Sequence, residues 1–153
     1  MIKRELCIAL LMALTTAARD RLNWLAAQDP VSLCEIADNP ESHKNQIVNI
    51  RANLYSYSSG VMQLNGIECG PGSDAWASLE FDSSFLPTSI TQQFLDDIGN
   101  VRQQGHYKLA EVVLTGRIVD LERACFGPRF ILYATQLEQE SEIRTGQIQD
   151  VMN

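Results

Sequence analysis

The segment from residue 46 to residue 139 restricts the fold of this chain most, because its apolar residues recur in an ordered series of short patterns. From residue 46 to 57 apolar and polar residues alternate, and this period of two predicts a β-strand with one buried and one hydrated face. Further strands are predicted at residues 61–67, 75–81, 109–122 and 130–137. Between the third and fourth strands, apolar residues with helical spacing predict a helix from about Ser89 to about Gln103.

Two glycines support this division into strands. Gly60 lies between the first two predicted strands, and it suits a hairpin turn position that has a positive φ. Gly116 lies inside the fourth predicted strand, where a glycine indicates a bulge or a sharp bend. Such bends are needed where a small sheet curves strongly, so both positions favour a curved and compact β domain.

The order of strand, strand, strand, helix, strand, strand resembles that of OB-fold proteins. The likeness rests on QIVNIRANLY, GVMQLNGIEC, AWASLEF, LAEVVLTGRIVDLE and PRFILYATQLE, and it covers roughly two-thirds of the chain. The chain is similar in this respect to uncharacterised OB-like proteins that bacteria export. The resemblance implies a closed or nearly closed five-stranded OB-like barrel at residues 46–139, with one helix between strands 3 and 4. OB folds often bind oligonucleotides or oligosaccharides, so it also implies a binding module.

The charge balance argues against a nucleic-acid ligand. The formal net charge is −7 and the isoelectric point is about 4.7. The lysines and arginines are scattered, and a phosphate backbone needs a clustered basic surface. We therefore expect no useful affinity for DNA or RNA at physiological salt.

The amino-terminal residues have the pattern of a secretory signal. Lys3 and Arg4 precede an apolar run that ends in small residues at Ala17 and Ala18. We expect cleavage after Ala18, which makes the protein secreted or periplasmic; the run is too short for a stable membrane span. The alternative is a retained amino-terminal helix in a cytoplasmic protein. Residues 19–45 are then a helical turn and linker, and residues 140–153 a loose tail.

The cysteines offer one predicted bridge. Cys69 closes the second predicted strand, and Cys125 lies in the loop between the fourth and fifth. In an OB-type arrangement these two connections open at the same end, which predicts a Cys69–Cys125 disulfide and leaves Cys34, on the early helical turn, as the free thiol. Two buried thiols are the alternative. No C-x-x-C pair occurs, so we expect no metal site.

The outward residues of the first three predicted strands form the candidate ligand surface. Arg51, Tyr55 and Trp76 are the residues we expect to contact a ligand, because aromatic rings stack on flat apolar faces and guanidinium groups donate hydrogen bonds. The ligand is an unidentified small molecule, a saccharide or a protein. The alternative is an ordinary hydrated sheet face.

No catalytic set is visible in the sequence. His43 and His106 have no partner that can be named, and no cofactor signature is present. The leading hypothesis is therefore a non-enzymatic exported OB-type binding or interaction domain. The rivals are a cytoplasmic barrel that assembles with a protein partner, and an enzyme whose site the sequence does not reveal.

Overall fold

The computed structural model describes residues 29–67, 69, 75–121 and 129–148. The predicted signal segment, residues 1–18, and Cys125 lie outside these residues. The described elements, in chain order, are β1 (Val31–Ser32), α1 (Leu33–Asp38), a 3₁₀ turn (Pro40–Ser42), β2 (Ile47–Tyr57), β3 (Met62–Gly66), β4 (Trp76–Phe81), α2 (Ser89–Gly99), β5 (His106–Asp120), β6 (Phe130–Gln139) and β7 (Arg144–Gln147).

The described strands form one mixed sheet of seven strands in the order β1-β2-β3-β4-β6-β5-β7. Strand β2 also pairs with β5, which makes the sheet partly ring-like. The β1–β2 and β4–β6 pairs are parallel, and the other pairs are antiparallel. The protein is therefore mainly β, as predicted, but the structure does not confirm a barrel of five strands.

The two additional strands explain much of this difference. Strand β1 has two residues and β7 has four, and neither is long enough to show an alternating pattern. Main-chain pairing holds β7 beside β5, from Arg144 opposite Leu109 to Gln147 opposite His106. The prediction of a loose tail from residue 140 is therefore wrong for the residues of β7.

The hydrophobic core lies between the inward faces of the curved sheet. Strand β2 contributes Ile50, Ala52 and Leu54, all fully buried, as the alternation predicts. Helix α1 adds Leu33 and Ile36, which are also fully buried. The remaining buried apolar residues come mainly from β4, α2, β5 and β6: Ala77, Leu79, Phe94, Ile98, Ala110, Val112, Leu114, Ile118, Phe130, Leu132, Ala134 and Leu137.

Helix α2 begins at Ser89, as predicted, but it ends earlier than predicted. Thr88 is the capping residue, because its Oγ1 accepts a hydrogen bond from the Thr91 backbone N–H at 3.1 Å. The helix ends at Gly99 instead of continuing to residue 103. Glycine has a low helix propensity, which favours an end of the helix at this residue.

The predicted irregularity at Gly116 is confirmed. The register between β5 and β6 shifts between Thr115 and Gly116. A Cβ atom at Gly116 would overlap the Tyr133 carbonyl oxygen and lie 2.8 Å from the Ala134 Cα. Because these are backbone atoms of a paired strand, the close approach of β6 requires glycine here.

The cysteine pairing differs from the prediction. Cys34 and Cys69 lie at disulfide distance, with Cα atoms 5.5 Å apart, so Cys69 is not available to Cys125. A Cβ at Gly66 would overlap the Cys69 sulfur and lie 2.8 Å from that of Cys34, so the absent side chain leaves room for the pair. The residue spacing did not reveal this pairing, because it does not show where α1 packs, whereas burial of Leu33 and Ile36 brings α1 to β3.

We predict that the double variant C34S/C69S unfolds more easily than the natural chain. The bridge spans 35 residues, and the loss of such a cross-link lowers the free energy of unfolding by about 2–4 kcal/mol. Urea denaturation measures this change. The matched control is C125S, which should leave the midpoint nearly unchanged. A non-reducing peptide map that links Cys69 to Cys125 would contradict the assignment.

Candidate functional site

The outward face of β2 and its neighbours carries the candidate binding residues. In β2 the odd-numbered residues from Arg51 to Tyr57 point outward, because the even-numbered residues fill the core. The register places Tyr55 between Gln63 of β3 and Leu109 of β5. Tyr57 lies opposite Tyr107 of β5 in the same register. Side chains from three strands therefore meet on one surface.

Three tyrosines form the centre of this surface, and we call them the tyrosine cluster: Tyr55, Tyr57 and Tyr107. The ring centroids of Tyr55 and Tyr57 lie 6.3 Å apart, and their planes are nearly parallel at 13°. The Tyr107 ring is tilted by 49° to Tyr55 and by 55° to Tyr57, with centroids 5.4 Å and 6.5 Å away. The cluster thus combines two almost parallel rings with a third ring inclined against them.

Strand β7 supports the third ring. Gly146 pairs with Tyr107, and a Cβ at Gly146 would overlap the ring and the hydroxyl of Tyr107. The Tyr107 ring therefore lies directly over the Gly146 backbone, an arrangement in which an aromatic side chain covers a glycine on the neighbouring strand. Any side chain at residue 146 would displace this ring from its present position.

Polar side chains adjoin the tyrosine cluster on the same face. Arg51 Nε and Glu111 Oε1 are 2.5 Å apart across β2 and β5. On β3, the Gln63 side-chain amide donates to Asn65 Oδ1 at 2.7 Å. Within the residues that the structure describes, the three tyrosine hydroxyls form no hydrogen bonds with protein atoms. They are therefore available to donate to or accept from a ligand.

The three residues predicted from the sequence lie on the outward face but do not form one contact site. Tyr55 belongs to the tyrosine cluster, whereas Arg51 is paired with Glu111. Trp76 begins β4, opposite Asn65, and β3 lies between it and β2. The binding role of all three residues stays a prediction.

The sequence analysis did not identify Tyr107 and Gly146 as parts of this surface. The fourth strand was predicted to begin at Leu109, but it begins at His106. Tyr107 lies two residues before Leu109 and four before Glu111, so in a strand its side chain is on the same face as theirs. Extending the predicted strand by two residues toward the amino terminus would have placed Tyr107 on the outward face. No sequence signal pointed to Gly146, because β7 has no alternating pattern.

The environment of the tyrosine cluster affects its ionisation. Partial burial raises the pKa of Tyr55 above its ordinary value of 10.0, and the nearby Tyr107 raises it further, while Arg144 lowers it. Burial also raises the pKa of Tyr57, with further increases from Tyr55 and Tyr107. Both side chains are therefore neutral hydrogen-bonding groups throughout the physiological pH range.

Other kinds of site find no support among residues 29–67, 69, 75–121 and 129–148. No group of three or more His, Cys, Asp or Glu side chains there could hold a metal ion. Neither α1 nor α2 has the length and apolar character that crossing a bilayer requires. His43 and His106 lie at turns or strand ends, and His106 Nδ1 is 3.4 Å from the Gln104 carbonyl oxygen.

Comparison with known proteins does not add to this description. No family model, no curated protein and no solved structure matched the chain. Any assignment of function therefore depends on the geometry of this surface.

We predict that the fold loses stability as the pH rises above 10, in part through the tyrosine cluster. The pKa values of Tyr55 and Tyr57 are higher in the folded chain than in the unfolded chain. The folded state is therefore fully stabilised by these groups below the unfolded pKa, and this stabilisation is lost as the pH rises through the folded pKa. Ultraviolet titration of tyrosinate measures these pKa values. The variant Y107F should lower the pKa values of Tyr55 and Tyr57, because the Tyr107 contribution is removed. Unchanged pKa values for these two residues, once the loss of the Tyr107 signal is subtracted, would contradict the arrangement.

Proposed function

We propose that this protein is an exported, non-enzymatic binding domain of the OB type that binds a saccharide on the tyrosine cluster. The single observation that carries the proposal is the cluster itself, in which three half-buried rings meet on an outward sheet face and their hydroxyls form no hydrogen bond with any residue that the structure describes. The proposal concerns binding and includes no chemical step.

The strand connections support the OB-type part of the proposal. Strands β2, β3, β4, β6 and β5 are neighbours in that order, and β5 pairs again with β2. The OB resemblance expects this return, because there the fourth strand lies beside the first. Helix α2 follows β4, the strand that corresponds to the predicted third. Such folds present their ligand sites on an outward face and in loops.

The chemistry of the surface favours a saccharide among neutral ligands. Sugar rings have flat apolar faces that stack on tyrosine rings, and their hydroxyls need both donors and acceptors close by. The neighbouring side chains supply both, with the amides of Gln63 and Asn65 on β3 and the Arg51–Glu111 pair beside them. The net charge of −7 disfavours polyanionic ligands.

The export part of the proposal has two independent supports. The Cys34–Cys69 pair is at disulfide distance, and disulfides persist mainly in oxidising compartments. Residues 1–18 have the basic start, apolar run and small-residue exit of a secretory signal.

We predict that the protein binds a soluble neutral oligosaccharide and that the variant Y55S weakens this binding at least tenfold. The probes are cellohexaose, maltohexaose and chitohexaose, tested by isothermal titration calorimetry at millimolar concentration. A tenfold loss equals about 1.4 kcal/mol, which is reasonable for one stacking ring and its hydroxyl.

The matched control is Y133S. Tyr133 is also a half-buried tyrosine, but it lies on β6, where the Arg117 guanidinium is 5.3 Å from its ring centroid. This variant should bind as the natural chain does. Equal losses in Y55S and Y133S would place the site elsewhere on the sheet, and no heat of binding with any of the three probes would overturn the saccharide proposal.

A further inference from the structure

A second concave surface lies away from the tyrosine cluster, between helix α2 and the chain that joins β6 to β7. We call it the helix groove, and its volume is about 320 Å³. Four of its residues lie on one side of α2, because their spacing of i, i+3, i+4 and i+7 brings side chains to the same helix face. The lining residues are Ile90, Gln93, Phe94 and Asp97 of α2, with Gln139, Glu142 and Ile143 opposite them.

The wall opposite the helix is held in place by hydrogen bonds. Ser141 Oγ accepts from the Glu111 backbone N–H at 2.8 Å, and the Glu140 backbone N–H donates to the Glu111 carbonyl oxygen at 2.8 Å. The Gln139 side-chain amide donates to the Ser141 carbonyl oxygen at 2.7 Å. The groove is therefore formed before any partner binds, which lowers the entropy cost of binding.

The rim and the wall opposite the helix offer apolar area. Phe94 is buried in the floor, and the half-buried Ile143 packs against the core. Ile90, on the rim, is 78% exposed, and Leu86 just before the helix is 88% exposed. A large aliphatic side chain as exposed as Ile90 at the edge of a preformed groove indicates a contact surface, because burying it against a partner is favourable.

The charges of the helix groove select the kind of partner. Asp97 and Glu142 line it, and none of its lining residues in the described ranges is a lysine or an arginine. In the described part of the chain, neither carboxylate takes part in an ion pair. Lys108 Nζ donates to the Asp97 backbone carbonyl rather than to its carboxylate, and so interacts with the end of the helix. The groove therefore complements apolar side chains accompanied by positive charge.

We propose that the helix groove docks a segment of a partner protein in which aliphatic side chains are flanked by lysine or arginine. The aliphatic side chains cover Ile90 and Ile143, and the cations face Asp97 and Glu142. This inference does not depend on the saccharide proposal, because the two surfaces share no residue and use different chemistry.

The test is an NMR titration of the full chain with three defined peptides, acetyl-KLKLK-amide, acetyl-KSKSK-amide and acetyl-ELELE-amide. The first peptide combines aliphatic and cationic groups, whereas each of the others lacks one of them. We expect KLKLK to shift the backbone amides of residues 90–97 and 139–143, and to bind at least fivefold more tightly than either of the other peptides. The variant I90S should weaken KLKLK binding at least threefold.

The matched control is I47S, since Ile47 is another exposed isoleucine, at 44%, and does not line the groove. This variant should bind KLKLK unchanged. Three results would each overturn the proposal: equal binding of KSKSK, shifts spread over the whole acidic surface, or no shifts at millimolar peptide. Sedimentation that shows a dimer dissociated by I90S would also overturn it, because a second copy of the chain would then be the occupant.

Discussion

Strand β2 is the element on which the rest of the structure depends. All eleven of its residues pair with β5, and its other edge pairs with β3 and, near Ile50, with β1. Its even-numbered side chains build the core, and its odd-numbered side chains build the outward face. A shift of one residue in this pairing would exchange the two faces and remove both the core and the tyrosine cluster. The pairing also fixes the position of Ser56. Its side chain points inward with the other even-numbered residues, and its hydroxyl is fully buried and makes no hydrogen bond among the described residues.

The carboxyl-terminal part of the described chain contributes to both candidate surfaces. Gly146 of β7 lies under the Tyr107 ring, and Glu142 and Ile143 line the helix groove a few residues earlier. The same segment is held against β5 by Ser141 and by the β7 pairing. Truncation before residue 140 would therefore be expected to affect both surfaces together, although neither lies in the core.

The residue pattern was sufficient to predict the structure where side-chain burial decides it. The alternation in residues 46–57 correctly predicts the buried apolar side chains of β2 from Val48 to Leu54, although Asn49 on the other face is buried as well, and Gly116 correctly predicts the irregularity in β5. It was insufficient where main-chain pairing decides, because β1 and β7 are held by backbone hydrogen bonds that impose no residue pattern. The Cys34–Cys69 pair and the contact of Tyr107 with Gly146 also depend on such segments, so neither could be read from spacing. Of the predicted site, the orientation of Arg51, Tyr55 and Trp76 followed from alternation, but their neighbours did not.

The central claim is that the sheet returns on itself, so that β2 supports the hydrophobic core on one face and the tyrosine cluster on the other. The β4–β6 pair tests it most directly, because this parallel contact joins the β2–β3–β4 part of the sheet to β5 and β6. The decisive measurement is a nuclear Overhauser experiment on the full chain. The account predicts backbone contacts between β4 and β6 in the register that places Ala77 opposite Phe130 and Phe81 opposite Ala134. Contacts from β4 to β3 alone, with free exchange of the β6 amides that should face β4, would contradict it.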